Sequence, residues 1–455
     1  MQKIKVCHAK DNGTTRFGGS AILINYLDNV LDFRKRFSIV TIKKGKNSTF
    51  STVDMLFALL ALMMLGCDRI FHINDKFKDD ALLAKQLGIV RIFDQSTASR
   101  FMTKFTKWHV NQVERILAEL TVKQGHFESS GRNELDIDAS DLTRSSHNTE
   151  GAKPGKNKKN KGKDSYMISC GFSNNQVVGT DMTSGNVHCS QAMETVFNKA
   201  MAIMERIDLL RLDAGYMSIK TLKWLLLLTV SPDASERITF LAGCNGQAEG
   251  VKLAKEYAEK HPDEWKLVEK DDKIIHVMDF KNVQLFKGYP EGKVRLVLVK
   301  MNQKIKKVKN DNVRYHRQTR IYAIATNLTR GYGARQIFKK YHKRQRIELM
   351  FRELKNSFDI GKLPSSKKNA NYGYFLLCCL AYNTGYYFKR DLLPKKHQNK
   401  VIATIRSMFF EVSAKWFDTW DIEFNLNYRY LSTYENIVNK LHRLICNVSD
   451  VVLVT

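Results

Sequence analysis

Apolar residues along the first 130 positions recur at helical spacing, in AILINYLDNVLDF, DMLFALLALMMLG, DDALLAKQLGI and STASRFMTKFTKWHVNQVERILAEL. This predicts a helical module. Within it, Asp94 to Phe105 places Ser96 to cap a helix carrying Arg100 and Lys104. A helix-turn-helix-like DNA reader and a plain bundle with a solvated basic surface fit these residues equally.

From Glu134 the period falls to two. ELDIDAS puts Leu135 and Ile137 on one strand face and Asp136 and Asp138 on the other, and YMISCGF and NQVVGTDM follow as strands. A helix, SQAMETVFNKAMAIMERI, leads into DLLRLDAGY, a buried strand ending on Asp213 with Gly215 turning the chain, and then into the helix SIKTLKWLLLL. Three strands, helix, strand, helix is an α/β order that opens on a meander. From Ile238 to about Asn327 most runs alternate (EWKLVEK, KIIHVMDF, VQLFKGY, KVRLVLVK, RIYAIATNL), a mostly β insertion into that order. Helical and aromatic character returns over 396–455.

Between the first two strands, AKPGKNKKNKGK at 152–163 holds six lysines and no apolar residue beyond its first alanine. It predicts a basic loop whose Lys156, Lys158, Lys159 and Lys161 touch phosphates. The whole chain repeats that bias: 74 Lys and Arg against 46 Asp and Glu give a formal charge of +28. Such an imbalance points to a polyanion and away from an ordinary metabolic enzyme. An anionic membrane would also suit the charge, but the longest apolar run, Met55 to Leu65, is too short to span one. With no apolar stretch behind the basic start MQKIKVCHAK, no signal peptide is expected, and the chain reads as cytoplasmic. The eight cysteines show no CxxC and no zinc-finger spacing, so they read as reduced, with Cys378 and Cys379 as buried small residues.

The chemistry gathers in ARQIFKKYHKRQRIELMFRELKNSF, Ala334 to Phe358, which lacks Gly and Pro and predicts one long helix. At about 100° per residue, with Tyr341 at zero, Arg344 falls near −60°, Glu348 near −20° and Lys355 near −40°. Ile347, Phe351, Leu354 and Phe358 form the apolar stripe beside that arc, so the polar set borders the core. Glu353 falls near +120°, toward solvent, which favours Glu348 as the carboxylate facing a sheet. Glu348 together with Asp138 and Asp213 at strand ends is the donor set for two-metal phosphoryl transfer, since Mg²⁺ takes oxygen ligands. Singly, each has a plainer reading as a turn former or a surface ion pair; the conjunction with the basic loop favours chemistry.

Tyr341-x2-Arg344-x3-Glu348-x6-Lys355 resembles the Y-R-E-K signature of DDE transposases of bacterial insertion sequences, in the branch with a β-rich insertion before the catalytic Glu. DIDAS resembles that family's first-aspartate strand, RLDAGY its second-aspartate motif, YAIATNL the strand before the signature helix and NANYGYFLLCCLAYN the segment after it. The early GGSAILINYLDNV and DQSTASRF segments look like its N-terminal region. The fold class implied is α/β, an RNase H-like catalytic domain interrupted by a mostly β insertion, with helical N-terminal and C-terminal modules. The organisation becomes a DNA-binding module at 1–130, the catalytic domain at 131–236 and 321–395, the insertion at 237–320, and an assembly region at 396–455.

The resemblance also implies the metal ligands Asp138, Asp213 and Glu348, holding two Mg²⁺ ions for which Mn²⁺ can substitute, with Tyr341, Arg344 and Lys355 on the phosphates. Asp138 is preferred to Asp136 because Ala139-Ser140 after it resembles the family's turn; Asp141 ranks third. A base-stacking aromatic is expected from the insertion, among Trp265, Phe280, Phe286 and Tyr289. The implied reaction is cut-and-paste: hydrolysis at the element ends, a DNA hairpin as a frequent intermediate, and joining of the 3′ ends to target DNA. The implied partners are double-stranded DNA and a second copy of the chain in a synaptic homodimer, in nucleoid-associated cytoplasm, with no membrane. Rival readings are a transposase-derived DNA-binding protein that no longer cuts and a structure-specific nuclease.

Overall fold

The computed structural model describes residues 4–5, 15–127, 133–144, 148–155, 161–230, 237–270, 273–309, 312–328, 331–416, 422–424 and 428–448. Its centre is a ten-stranded mixed sheet. In chain order its main strands are β1 (Glu134–Thr143), β2 (Asp164–Ser173), β3 (Gln176–Ser184), β4 (Leu209–Leu212), β5 (Thr239–Cys244), β6 (Lys266–Lys270), β7 (Lys273–Gln284), β8 (Lys293–Lys309) and β9 (Asn312–Thr326). The two-residue strand Lys153–Pro154 completes it.

Strands β1, β2 and β3 form the expected antiparallel meander. Strand β4 then pairs parallel to β1, and β5 parallel to β4. Strand β9 joins β5 antiparallel, and β8, β7 and β6 follow in turn. The β-rich segment therefore continues the same sheet through unbroken hydrogen bonding. VQLFKGY does not form a strand of its own: its first two residues extend β7, and a turn follows.

The longer helices are α1 (Thr52–Met64), α2 (Gln95–Thr103), α3 (Lys107–Gln124), α4 (Ser190–Met204), α5 (Ile219–Leu227), α6 (Glu249–Lys260), α7 (Ala334–His342), α8 (Gln345–Ser357), α9 (Lys368–Leu392) and α10 (Tyr428–Val448). Helices α4, α5 and α6 cover one sheet face, packing on Leu135, Ile137, Leu210, Leu212 and Phe240. The alternating partners on the other face, such as Ile168 and Phe172, pack under α8, α9 and the N-terminal helices. This is the period-two burial expected of strands covered on both sides.

Helix α9 is buried on nearly every side, with Cys378 and Cys379 fully enclosed and unpaired. Its Asn383 sits opposite β3, accepting from the Val177 N–H at 2.8 Å and donating to the Val177 carbonyl at 3.0 Å. One side chain thus satisfies backbone groups that an outer strand would leave unpaired. The C-terminal Tyr434, Ile437 and Leu441 of α10 share a core with the N-terminal helices, and Arg406 donates to the Met63 and Met64 carbonyls at the end of α1. Among the described residues no helix is long and apolar enough to cross a membrane.

Two local expectations are corrected. Helix α2 is capped by Asp94 and not by Ser96: the Asp94 carboxylate accepts from the Thr97 N–H at 2.7 Å, and Ser96 donates to the same oxygen. An anion suits the positive end of the helix better than a hydroxyl. The helix read as continuous from Ala334 to Phe358 is broken at Lys343 and Arg344. There the Arg344 and Ile347 N–H groups donate three residues back, to Tyr341 and Arg344, tightening the turn.

Candidate active site

Parallel pairing of β1 and β4 sets the site. Ile137 stands opposite Leu212 at the end of their shared ladder, so the residues that follow, Asp138 and Asp213, lie side by side where the two strands part. Asp138 is thus mid-strand in β1, while Asp213 leaves β4 to open the 3₁₀ turn Ala214–Tyr216. Open α/β sheets bind ligands at this end of their parallel strands.

The break between α7 and α8 supplies the third element. Arg344, at the cap of α8, sends a side chain only 9% exposed into the gap, 2.7 Å from Asp138 Oδ2, 3.8 Å from Asp213 Oδ1 and 3.6 Å from Glu348 Oε1. A guanidinium buried this deeply needs charged partners to offset its lost hydration. The break turns residue 344 toward the sheet, where that demand is met. Burial opposes its charge, but the neighbouring carboxylates, Asp138 first, hold its pKa above the ordinary value.

Exposure graded across the trio divides their electrostatics. Asp138 is 19% exposed, Asp213 51% and Glu348 58%. Burial pushes the Asp138 carboxyl up to about 6, with Asp213 and Glu348 adding to the rise while Arg344 and the Ala139 N–H oppose it. Tyr341 lies behind, its phenol pushed up by burial and its hydroxyl 3.4 Å from the Leu212 carbonyl. Gly243 of β5 leaves room for that ring: a Cβ there would stand 2.6 Å from the Tyr341 hydroxyl. Lys355, one helical face along, is exposed and lines an open cleft of about 330 Å³ with Asp138, Ser140 and Glu348.

The neighbouring acids have other partners. Asp136, on the same strand face as Asp138, is fully buried against Arg211, with hydrogen bonds of 2.5 and 3.0 Å. Arg211 also donates to Glu134 at 2.7 Å and to the Lys340 carbonyl at 3.2 Å, tying α7 to the sheet. Asp141 falls on the opposite face of β1 by alternation. Glu353 does not face solvent: it is half-buried and accepts from the Ile402 N–H at 2.7 Å, which occupies it with the C-terminal region.

Of the basic loop, Lys156, Lys158 and Lys159 lie outside the described residues, and Lys161 is exposed. Trp265, Phe280, Phe286 and Tyr289 are all partly buried against the core formed with α5 and α6. Arg211 and Gly243 went unread in the sequence. The signal for the first was present, a lone charge inside the apolar strand LLRL.

Among the described residues no three His, Cys, Asp or Glu side chains stand ready to hold a metal ion as they are. The donor set nonetheless fits a hard divalent cation: three carboxylates from separate elements around one positive charge, the innermost with its pKa raised chiefly by burial. A family model described as the transposase DDE domain matches residues 129–384, which spans all three carboxylates and Arg344. No curated protein matches the chain.

Proposed function

We propose, from the premise that the chain belongs to the DDE-domain transposase family, that it cleaves DNA at the ends of an insertion sequence and joins the 3′ ends to target DNA. The observation carrying this reading is the convergence of Asp138, Asp213 and Glu348 on the Arg344 guanidinium. These three would hold Mg²⁺, or Mn²⁺ in its place, as two ions. When bound, such ions activate the attacking oxygen and stabilise the leaving one. The strand order β3-β2-β1-β4-β5, with β2 alone antiparallel to the other four, supports an RNase H-like core. The remaining four main strands then form the family's insertion, which on this reading begins after β5 and not at residue 237 as the sequence pattern suggests.

The chain's own residues supply position and charge. Arg344 offers a planar fork to a phosphate, and its Nε, buried without a partner among the described residues, keeps one donor in reserve. Lys355 adds a positive charge at the mouth of the cleft, and Tyr341 buttresses the turn that carries Asp213. The loop at 152–163 tracks the backbone of the duplex. In this reading 1–130 recognises the element ends through α2, whose Arg100 is exposed and followed by Lys104, and 396–455 supports a synaptic homodimer in the cytoplasm.

The absence of a ready metal cage among the described residues favours one rival, a catalytically idle DNA-binding protein. A cleavage assay separates them: a DNA fragment with the gene and its flanks, with Mg²⁺ or Mn²⁺, comparing the intact chain with Glu348→Ala. Discrete cuts at both flanks that vanish in the variant are expected. Binding without cutting would install the idle reading, and scattered cuts would indicate a general nuclease.

A further inference from the structure

On the far side of α8 from the carboxylates lies a cavity of about 790 Å³, walled by α8, α9, the β2–β3 turn and residues 398–403. Its size is that of a small-molecule site. Arg352 and Asn356 line both this cavity and the cleft that holds Asp138 and Glu348, so a single helix separates the two.

The lining is chemically one-sided. Arg346 and Arg352 face it, and among the described residues neither guanidinium has an ion-pair partner. Among the described residues Glu353 is the one carboxylate in the wall, and its Oε1 is engaged by the Ile402 N–H. Two rings, Tyr382 and Tyr386, stand on the α9 side, and the Tyr386 hydroxyl has no hydrogen-bond partner among the described residues. Asn175 and Asn356 add amide donors and acceptors at the rim.

Free guanidinium groups select an anion, and phosphate geometry suits them best. Aromatic walls with amides beside them select a flat, hydrogen-bonding ring. A simple anion would leave the rings unused, and an apolar guest would leave two arginines unpaired. We propose that this cavity holds one nucleotide unit, its base against Tyr386 and Tyr382 and its phosphate at Arg346 and Arg352. The unit comes either from a DNA strand that crosses α8 or from a free nucleotide. Occupancy is independent of cleavage, so it stands whether or not the carboxylate trio is active.

The test uses the full chain and two probes. In saturation-transfer NMR, deoxyadenosine 5′-monophosphate should receive transfer at its base protons, and inorganic phosphate should compete more weakly. Arg346→Gln, a change at an exposed position, should weaken the monophosphate about tenfold, or about 1.4 kcal/mol, while deoxyadenosine is unaffected. Tyr386→Leu should remove the transfer, with melting curves checking that the fold persists. In parallel, 2-aminopurine in a single-stranded overhang should be quenched on binding and lose that quench in Tyr386→Leu. Response of the free nucleotide alone, or of the overhang alone, assigns the source. Silence from both probes, or equal signals in wild type and both variants, overturns the proposal. Metal-dependent cleavage, measured separately on the same variants, keeps this result distinct from the fate of the catalytic reading, since probe binding kept with cleavage absent, or lost with cleavage intact, bears on each reading separately.

Discussion

Replacing Gly243 by alanine tests the architecture of the site without touching a charged group. The added Cβ would lie 2.6 Å from the Tyr341 hydroxyl, 2.8 Å from the Ala214 backbone nitrogen and 3.2 Å from the Ala214 Cα. Comfortable carbon separations begin at about 3.5 Å. Two of the three obstacles are main chain directly after Asp213, and the third is the end of a partly buried ring packed against the core, so none swings aside cheaply. Relief must come from moving β5, the 213–216 turn or α7 by several tenths of an ångström. Overpacking of this kind costs about 1–3 kcal/mol, which at this chain size lowers Tm by about 1–3 °C. The displaced groups are Asp213 and the residue three before Arg344, and a misplacement near 1 Å can cost about 10²-fold in rate. The assay is Mg²⁺-dependent DNA cleavage beside a melting curve and a gel-shift titration. Gly45→Ala serves as control, because its Cβ would meet nothing within 4 Å. Cleavage should fall far more than DNA binding. A Gly243→Ala protein that melts and cuts like wild type would refute the close packing of Tyr341 against the turn and the positioning argument built on it.

Asp138→Ala, Asp213→Ala and Glu348→Ala should each abolish metal-dependent cleavage and leave DNA binding within about twofold; full activity in any one removes that residue from the site. Asp138 also carries a pH signature. Its folded pKa, about 6, lies above the ordinary carboxyl value, so the folded state keeps a proton that the unfolded chain has lost. Wild type should therefore lose stability relative to Asp138→Asn as pH rises from about 4 to 6, by up to about 3 kcal/mol, and level off above. A difference flat across that window in urea titrations would refute the burial argument. Arg211→Met strands the buried Asp136 and should cost about 3–5 kcal/mol, much of it recovered by adding Asp136→Leu; wild-type stability in the single variant would show the pair to be dispensable. Neutralising the lysines of 153–163 should weaken DNA binding and shrink the salt slope by about 0.9 for each phosphate that the loop had neutralised. An unchanged slope makes the loop a solvated connector.

Much of the catalytic layer is legible in the residues, because it depends on alternation and strand order. The period-two faces of β1 separate Asp136 and Asp138 from Leu135 and Ile137, and the apolar run before Asp213 marks a buried strand. Choosing between the two aspartates needs a partner from elsewhere: Arg211, distant in sequence, occupies Asp136, and no local pattern announces that pairing. The break at Arg344 is hidden for a related reason. Local propensity from Ala334 onward favours helix throughout, and what accompanies the interruption is tertiary, a buried guanidinium among carboxylates from other elements. The wheel places Tyr341, Arg344 and Glu348 near one another despite the break, but it misplaces Glu353, because the solvent assigned to that side is taken up by the segment around Ile402. Asp94 takes the cap from Ser96 because two nearby acceptors compete and the charged one suits a helix start better.

The three carboxylates also have an order of birth. Asp138 and Asp213 leave the ribosome with β1 and β4, but the chain must then complete β5 through β9 before α7 and α8 deliver Arg344 and Glu348. Closing so long a span delays the final assembly of the trio. A chain that stops short of α8 therefore carries Asp138 and Asp213 but lacks Glu348. On the reading proposed above, the layout completes the carboxylate trio only once synthesis has passed α8.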